Sequence, residues 1–297
     1  MNSPVGDAAI TLKALSEMKQ AGQPISMLTV YDASFARLLD QAGVECALVG
    51  DSLGHVIQGH DSTLPVTLGE MEYHVGCAAR GLRRALLIAD LPFLSYTRPD
   101  QAIDSAARLM RAGAAMVKLE GGAPVVEIVA RLVALGVPVC GHLGLTPQSV
   151  HQLSGYRVQG RDQAAREQLL KDARALVAAG AGLLVLECVP DSLAAEVTRA
   201  LSIPVIGIGA GPGVDGQVLV LHDALGISGP PHPRFVRDFS VGAAGVAGAI
   251  AAFVAAVRDR VVAGLEAGGA SVRLTDLYAE GFDPELGATE HAAHLEP

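Results

Sequence analysis

Along the chain, hydrophobic positions alternate between two signatures. The first is a short unbroken apolar run, such as Cys46-Ala47-Leu48-Val49-Gly50. Such a run buries both faces, as a parallel strand between two layers does. Runs of this kind over 26–31, 46–50, 85–89, 115–119, 138–140, 183–186, 204–208 and 218–221 predict eight strands. The second signature spaces apolar residues three and four apart, as Leu12, Leu15 and Met18 or Phe35, Leu38 and Leu39 are, and predicts helices. It covers 11–21, 32–43, 68–80, 100–111, 124–135, 161–179, 191–201 and 243–262. Pro24 closes the first helix, and Pro99-Asp100 opens the fourth.

Strand and helix thus alternate about eight times, with no linker or low-complexity tract between them. That order predicts an α/β fold of one domain: a (β/α)8 barrel, the TIM-barrel architecture, preceded by an N-terminal helix. Between the seventh and eighth strands, Gly209-Ala-Gly-Pro-Gly-Val-Asp-Gly216 leaves no room for an ordinary helix, so an abbreviated seventh helix is expected. Residues 1–270 make the barrel unit. Residues 271–297 are acidic and poor in large apolar side chains, and read as an arm over the surface or a partly disordered tail. Two polar connections, 52–67 and 141–160, are longer than βα loops usually are, which marks them as functional candidates.

Composition narrows the picture. With 297 residues, half hydrophobic but only 4% aromatic and without Trp, the core must be built from Ala, Val, Leu and Ile. A net charge of -9 argues against a nucleic-acid partner, which would require basic surface. Cys46, Cys77, Cys140 and Cys188 form no CxxC pair; a reduced cytoplasmic protein is the expectation. The apolar run 241–257 consists mostly of Ala, Gly and Val and ends at Arg258-Asp259-Arg260, which fits a helix packed on a sheet better than a membrane span.

Candidate chemistry gathers where strands end. Asp51, Asp90, Glu120 and Glu187 each close a β-unit, and in a barrel all strand ends share one mouth. Asp51 and Asp90 singly read equally well as helix N-caps. Glu120 caps poorly, and the three acids together favour a divalent cation, with Mg²⁺ suiting carboxylates completed by water. Lys118 and Glu120 stand two apart and so share a strand face. They are either a pair that holds the rim or, for Lys118, a fixed positive charge for an anionic substrate. Glu187 follows a wholly apolar run, where a carboxylate can be pushed towards neutrality and act as a base; a salt-bridged rim acid is the alternative. His142 can orient substrate or serve as a structural hydrogen-bonder, and Tyr31 and Ser52 carry less weight. Gly211-Pro-Gly213-Val-Asp-Gly216 fits GxGxxG by letter only, and no HExxH, P-loop or GxSxG is present.

Longer blocks carry a resemblance. Val49-Gly50-Asp51-Ser52-Leu53-Gly54, Gly59-His60-Asp61-Ser62-Thr63, Ala89-Asp90-Leu91-Pro92-Phe93 and Val117-Lys118-Leu119-Glu120-Gly121-Gly122 are four of them. Gly141-His142-Leu143-Gly144-Leu145-Thr146-Pro147-Gln148, Leu186-Glu187-Cys188-Val189-Pro190 and Ile206-Gly207-Ile208-Gly209-Ala210-Gly211 continue the series. In this order, over about residues 8 to 265, the chain resembles the ketopantoate hydroxymethyltransferases. The resemblance implies a barrel with one Mg²⁺ per subunit. It also implies aldol-type transfer of a hydroxymethyl group from 5,10-methylenetetrahydrofolate to 3-methyl-2-oxobutanoate, giving 2-dehydropantoate on the way to pantothenate. By position, Asp51, Asp90 and Glu120 match the family's metal-site acids, and Ser52 and Lys118 its keto-acid contacts. His142 lies in the active-site block and Glu187 matches the proposed base. A homodecamer of two pentameric rings is implied as well. The chain departs from the family at His151-Gln152-Leu153-Ser154 and at Pro230-Pro231-His232-Pro233. Other readings of the same acids are a Mg²⁺-dependent 2-oxo-acid lyase or mutase, or a non-catalytic barrel that binds a keto acid.

Overall fold

The computed structural model describes residues 8–153, 155, 157–229 and 235–266. The expected acidic arm, 271–297, lies outside the described residues, as does the divergent Pro230–Pro233 stretch. Eight strands close into a parallel barrel in chain order: β1 (Ile25–Thr29), β2 (Cys46–Val49), β3 (Leu86–Asp90), β4 (Met116–Glu120), β5 (Val139–Gly144), β6 (Leu183–Glu187), β7 (Val205–Ile208) and β8 (Gly216–Leu219). The last strand pairs with the first, from Ile25 opposite Gly216 to Leu28 opposite Leu219. No sheet edge is left open, and the expected (β/α)8 architecture is the one observed.

Strand alternation divides the apolar residues into two cores. Met27, Leu48, Ile88, Met116, Cys140, Val185, Ile206 and Val218 fill the barrel interior. Their neighbours Leu28, Ala47, Leu87, Val117, Val139 and Leu184 face outward to the helices. Helix α1 (Leu12–Gln20) plugs the N-terminal end of the barrel, where Leu15 is fully buried against the interior cluster. Lys19 Nζ pins that plug with bonds to Asp215 Oδ2 (2.7 Å) and to the Thr198 carbonyl (2.9 Å).

The outer helices are α2 (Ala33–Ala42), α4 (Leu68–Ala79), α5 (Pro99–Ala112), α6 (Val126–Ala134), α7 (Gln163–Ala178), α8 (Asp191–Ala200) and α10 (Gly245–Glu266), with short turns α3 (Leu53–Val56) and α9 (Leu221–Ala224). Helix α10 turns Ala249, Ile250, Phe253, Val254 and Val257 into the core, and among the described residues no helix is long and apolar enough to cross a membrane. An abbreviated seventh helix was expected; instead residues 209–215 form bends with no helical turn, so the GxGxxG-like letters belong to a tight β7–β8 connection.

Three local expectations need correction. The loop after β2 is not wholly irregular, since it opens with the single turn α3. Strand β8 starts at Gly216, two residues earlier than its side chains suggest, because pairing with both β1 and β7 defines it. Strand β5 does not stop at Cys140 but runs to Gly144, because β4 and β6 offer partners that far: Glu120 opposite His142, and Glu187 opposite Gly144. His142 is therefore a strand residue and not a loop residue.

Candidate active site

Along β3 to β6 the inward positions are apolar at the bottom and polar at the top. Leu86 and Ile88 lead to Asp90, Met116 leads to Lys118 and Glu120, Cys140 to His142, and Leu183 and Val185 to Glu187. Asp51 and Ser52 follow β2 after the single residue Gly50. The C-terminal mouth thus brings every sequence-predicted residue into one neighbourhood, and Asp51, Asp90, Lys118, Glu120 and His142 are all buried.

Strand register decides who meets whom. Asp90 lies opposite Lys118 across β3 and β4, and Lys118 Nζ donates to Asp90 Oδ1 at 2.6 Å. The other Asp90 oxygen accepts the Asp51 backbone N–H at 3.1 Å, so Asp90 ties the ends of β2 and β4 together. The His142 ring stands between two acids, Nδ1 3.2 Å from Glu120 Oε1 and Nε2 3.2 Å from Glu187 Oε2. These are ion-pair contacts; neither ring nitrogen is aligned for a hydrogen bond.

Burial alone would discharge Lys118, but the charges of Asp90, Glu120 and Asp51 overcome it and hold the ammonium well above the ordinary lysine pKa. Burial and Lys118 likewise work against a charged His142, and the Glu120 and Glu187 carboxylates win, raising it. For Glu120, burial is outweighed by His142, Lys118 and the Gln148 N–H, so its carboxyl is lowered. Asp51 takes the strain of the cluster: burial, then the charges of Asp90 and Glu120, push it up to about 8 against Lys118 and a Gln148 hydrogen bond.

At this rim four acidic side chains, Asp51, Asp90, Glu120 and Glu187, stand beside two basic ones, Lys118 and His142, so acids outnumber bases. A divalent cation bound beside Asp51 would relieve the repulsion from Asp90 and Glu120 that raises its carboxyl. Among the described residues no three His, Cys, Asp or Glu side chains stand close enough to enclose an ion. The three acids expected to hold the metal, Asp51, Asp90 and Glu120, are engaged by this chain's own donors: Lys118 sits on Asp90, while Gln148 bonds both Asp51 and Glu120. The donor set fits a hard cation that keeps much of its water and takes one or two carboxylates, as Mg²⁺ does.

Ser52 and Tyr31 share the rim, with hydroxyls 2.9 Å apart. A Cβ at Gly50 would fall 2.9 Å from Ser52 Oγ and 3.4 Å from Asp90 Oδ2, so what the glycine admits is this chain's own polar side chains. Gly144 has φ +92°, and a Cβ on it would lie 2.1 Å from the Glu187 carbonyl. That space lets the Leu145 N–H reach the same carbonyl at 2.8 Å and anchor the end of β6. Directly after Glu187 the backbone turns through a left-handed residue, Cys188, at φ 47°. All four cysteines are free thiols.

Two further residues belong to this cluster and carry no local sequence signal as site residues. Gln148 and Tyr96 sit in the loops after β5 and β3, and Gln148 is buried. The block Leu145-Thr146-Pro147-Gln148 pointed to the neighbourhood, but nothing in its spacing assigned the glutamine a partner.

Comparison with known proteins agrees with this geometry. The family model for ketopantoate hydroxymethyltransferase matches residues 9–262. The 3-methyl-2-oxobutanoate hydroxymethyltransferase of Methylobacillus flagellatus is 58% identical over 86% of this chain and 98% of its own length. The enzyme of the same name from Thiobacillus denitrificans is 60% identical, over 84% of this chain and 95% of its own. Among solved structures, a phosphonopyruvate hydrolase in complex with oxalate and Mg²⁺ superposes with a TM-score of 0.55 at 14% identity, covering 95% of this chain and 93% of that one, a likeness of fold alone. With its barrel, its rim of acids and these relatives together, the chain belongs to the ketopantoate hydroxymethyltransferase family and is a transferase.

Proposed function

We propose that this enzyme moves a hydroxymethyl group from 5,10-methylenetetrahydrofolate to 3-methyl-2-oxobutanoate, producing 2-dehydropantoate in the first step towards pantothenate. The balance is keto acid, folate and one water in, hydroxymethylated keto acid and tetrahydrofolate out. The observation that carries the reading is the grouping of buried Asp51, Asp90 and Glu120 at one rim, with the acid at the end of β6, Glu187, facing Glu120 across the buried His142 imidazole. The activity for which relatives at 58% and 60% identity are named supports the same substrate.

In this reading Asp51, Asp90 and Glu120 would hold Mg²⁺. When bound, Mg²⁺ supplies Lewis-acid polarisation to the oxygens of the keto acid. Lys118, fixed by Asp90, presents a permanent positive charge to the substrate's carboxylate or keto oxygen, and Ser52 donates to the same group. Glu187 takes the proton from C3 of the keto acid, and the neighbouring His142 keeps that carboxylate in place. Both C–N bonds that hold the one-carbon unit break as water supplies its oxygen and the two folate nitrogens regain hydrogen. C3 forms the new carbon–carbon bond to that carbon, and the proton taken by Glu187 returns to the resulting alkoxide oxygen. A cytoplasmic homodecamer belongs to the same proposal and is checked by light scattering of the purified protein.

The test is an assay of 3-methyl-2-oxobutanoate with 5,10-methylenetetrahydrofolate and Mg²⁺. Product formation that stops in excess chelator and returns with Mg²⁺ is expected. Turnover of the keto acid without folate would instead identify a lyase or mutase. Binding without exchange of the C3 proton would identify a non-catalytic barrel.

A further inference from the structure

We propose that Gln148, steadied by Tyr96, is a positioning residue that locks Asp51 and Glu120 into one arrangement and leaves a single Asp51 oxygen for the cation. The inference rests on the functional reading above. The side-chain amide and the backbone N–H of Gln148 are all engaged. Its Nε2 donates to Asp51 Oδ2 at 2.9 Å and to the Leu91 carbonyl at 3.0 Å, while its backbone N–H donates to Glu120 Oε2 at 3.0 Å. Its Oε1 accepts the Tyr96 hydroxyl at 2.7 Å. Tyr96 is anchored in turn at Glu120, 3.3 Å from its carbonyl oxygen and 3.4 Å from its N–H.

The chemistry of an amide suits this place. Lys or Arg would bond the acids equally well but would cancel the negative charge that draws a cation. A neutral amide gives two N–H donors and adds no charge. Which end of the amide faces Asp51 is set by its surroundings: the hydroxyl at one end can donate, and the carboxylate and carbonyl at the other can only accept. With Oδ2 engaged by Gln148, Asp51 has Oδ1 left for a ligand. The brace also spans two loops, after β3 and after β5, so the acids of β2 and β4 stay in register while substrate enters and leaves.

A purely structural glutamine would lower stability when replaced and leave ion affinity alone. The experiment therefore measures Mg²⁺ affinity by calorimetry on the enzyme without substrate, beside thermal unfolding and steady-state kinetics. Gln148→Met, of similar length but without the amide, should weaken Mg²⁺ binding by about ten- to a hundredfold and lower kcat. Tyr96→Phe, which removes one oxygen and keeps the ring, should shift both in the same direction by less. Adding it to Gln148→Met should cost little more, because both changes break one network. If Gln148→Met does not fold, Tyr96→Phe alone decides by the same measurements. Wild-type Mg²⁺ affinity in folded variants, with only a lower melting temperature, would overturn the inference while leaving the functional reading intact. A wild-type enzyme that neither binds Mg²⁺ nor turns over the keto acid would overturn both.

Discussion

Glu187 stands where β6 ends, its side chain 17% exposed and 3.2 Å from an imidazole that faces Glu120 on its other side. A base needs both features: access to the substrate and a fixed direction. Asp90 is already committed to Lys118 and to the Asp51 backbone, and Glu120 is enclosed by His142 and Gln148, so neither is free to accept a proton from carbon. Glu187→Gln keeps the shape and removes the basicity. It should bind 3-methyl-2-oxobutanoate as the wild type does, while exchange of the C3 proton with solvent falls by about 10²- to 10⁴-fold. NMR in deuterated water reads this directly, and wild-type exchange in the variant excludes Glu187 as the base.

At the scale of elements, the site depends on how the chain leaves the rim. The loop from Ser52 is caught at Thr67, the N-cap of α4, by a reciprocal capping box. Glu70 Oε2 accepts the Thr67 N–H and its hydroxyl, both at 2.7 Å, and the Glu70 N–H reaches Thr67 Oγ1 at 3.3 Å. Thr67→Ala should cost about 1 kcal/mol in urea unfolding. The Thr67 hydrogen bonds also hold the Glu70 carboxyl below its ordinary pKa. A lowered folded pKa means that this contribution is present above the unfolded carboxylate value and lost as pH falls through the folded one. The penalty of Glu70→Ala should accordingly be present at neutral pH and fade on acidification, as paired urea titrations across that range would reveal.

Across the whole molecule, stability and chemistry occupy opposite ends of the barrel. At the N-terminal end, buried Glu45 accepts the Ser26 N–H (2.9 Å) and hydroxyl (2.6 Å) through Oε2, while Oε1 meets Arg84 at 3.6 Å and Arg258 of α10 at 3.0 Å. One carboxylate thus fastens β1, β2, the approach to β3 and the closing helix. Removing it strands a buried N–H and a largely buried guanidinium, so Glu45→Ala should destabilise the fold by about 3 kcal/mol. Arg258 is 44% exposed, and Arg258→Ala should cost less than about 1 kcal/mol. Both proteins, where folded, should keep the wild-type kcat. A catalytic defect that outruns the loss of stability would contradict this separation of roles.

The repeating apolar run followed by an acid was legible in the sequence because it follows from local physics. A strand buried on both faces must be apolar, and it can turn polar only where it reaches the mouth. Strand alternation likewise placed Lys118 and Glu120 on one face before any partner was known. The pairing of Lys118 with Asp90 and of His142 with Glu120 required the register between neighbouring strands, which no single strand carries. Gln148 meets Asp51 across 97 positions of chain, through loops without periodicity, so its contact exists only once the barrel has closed. Local order sets which residues reach the rim; closure of the barrel sets which of them touch.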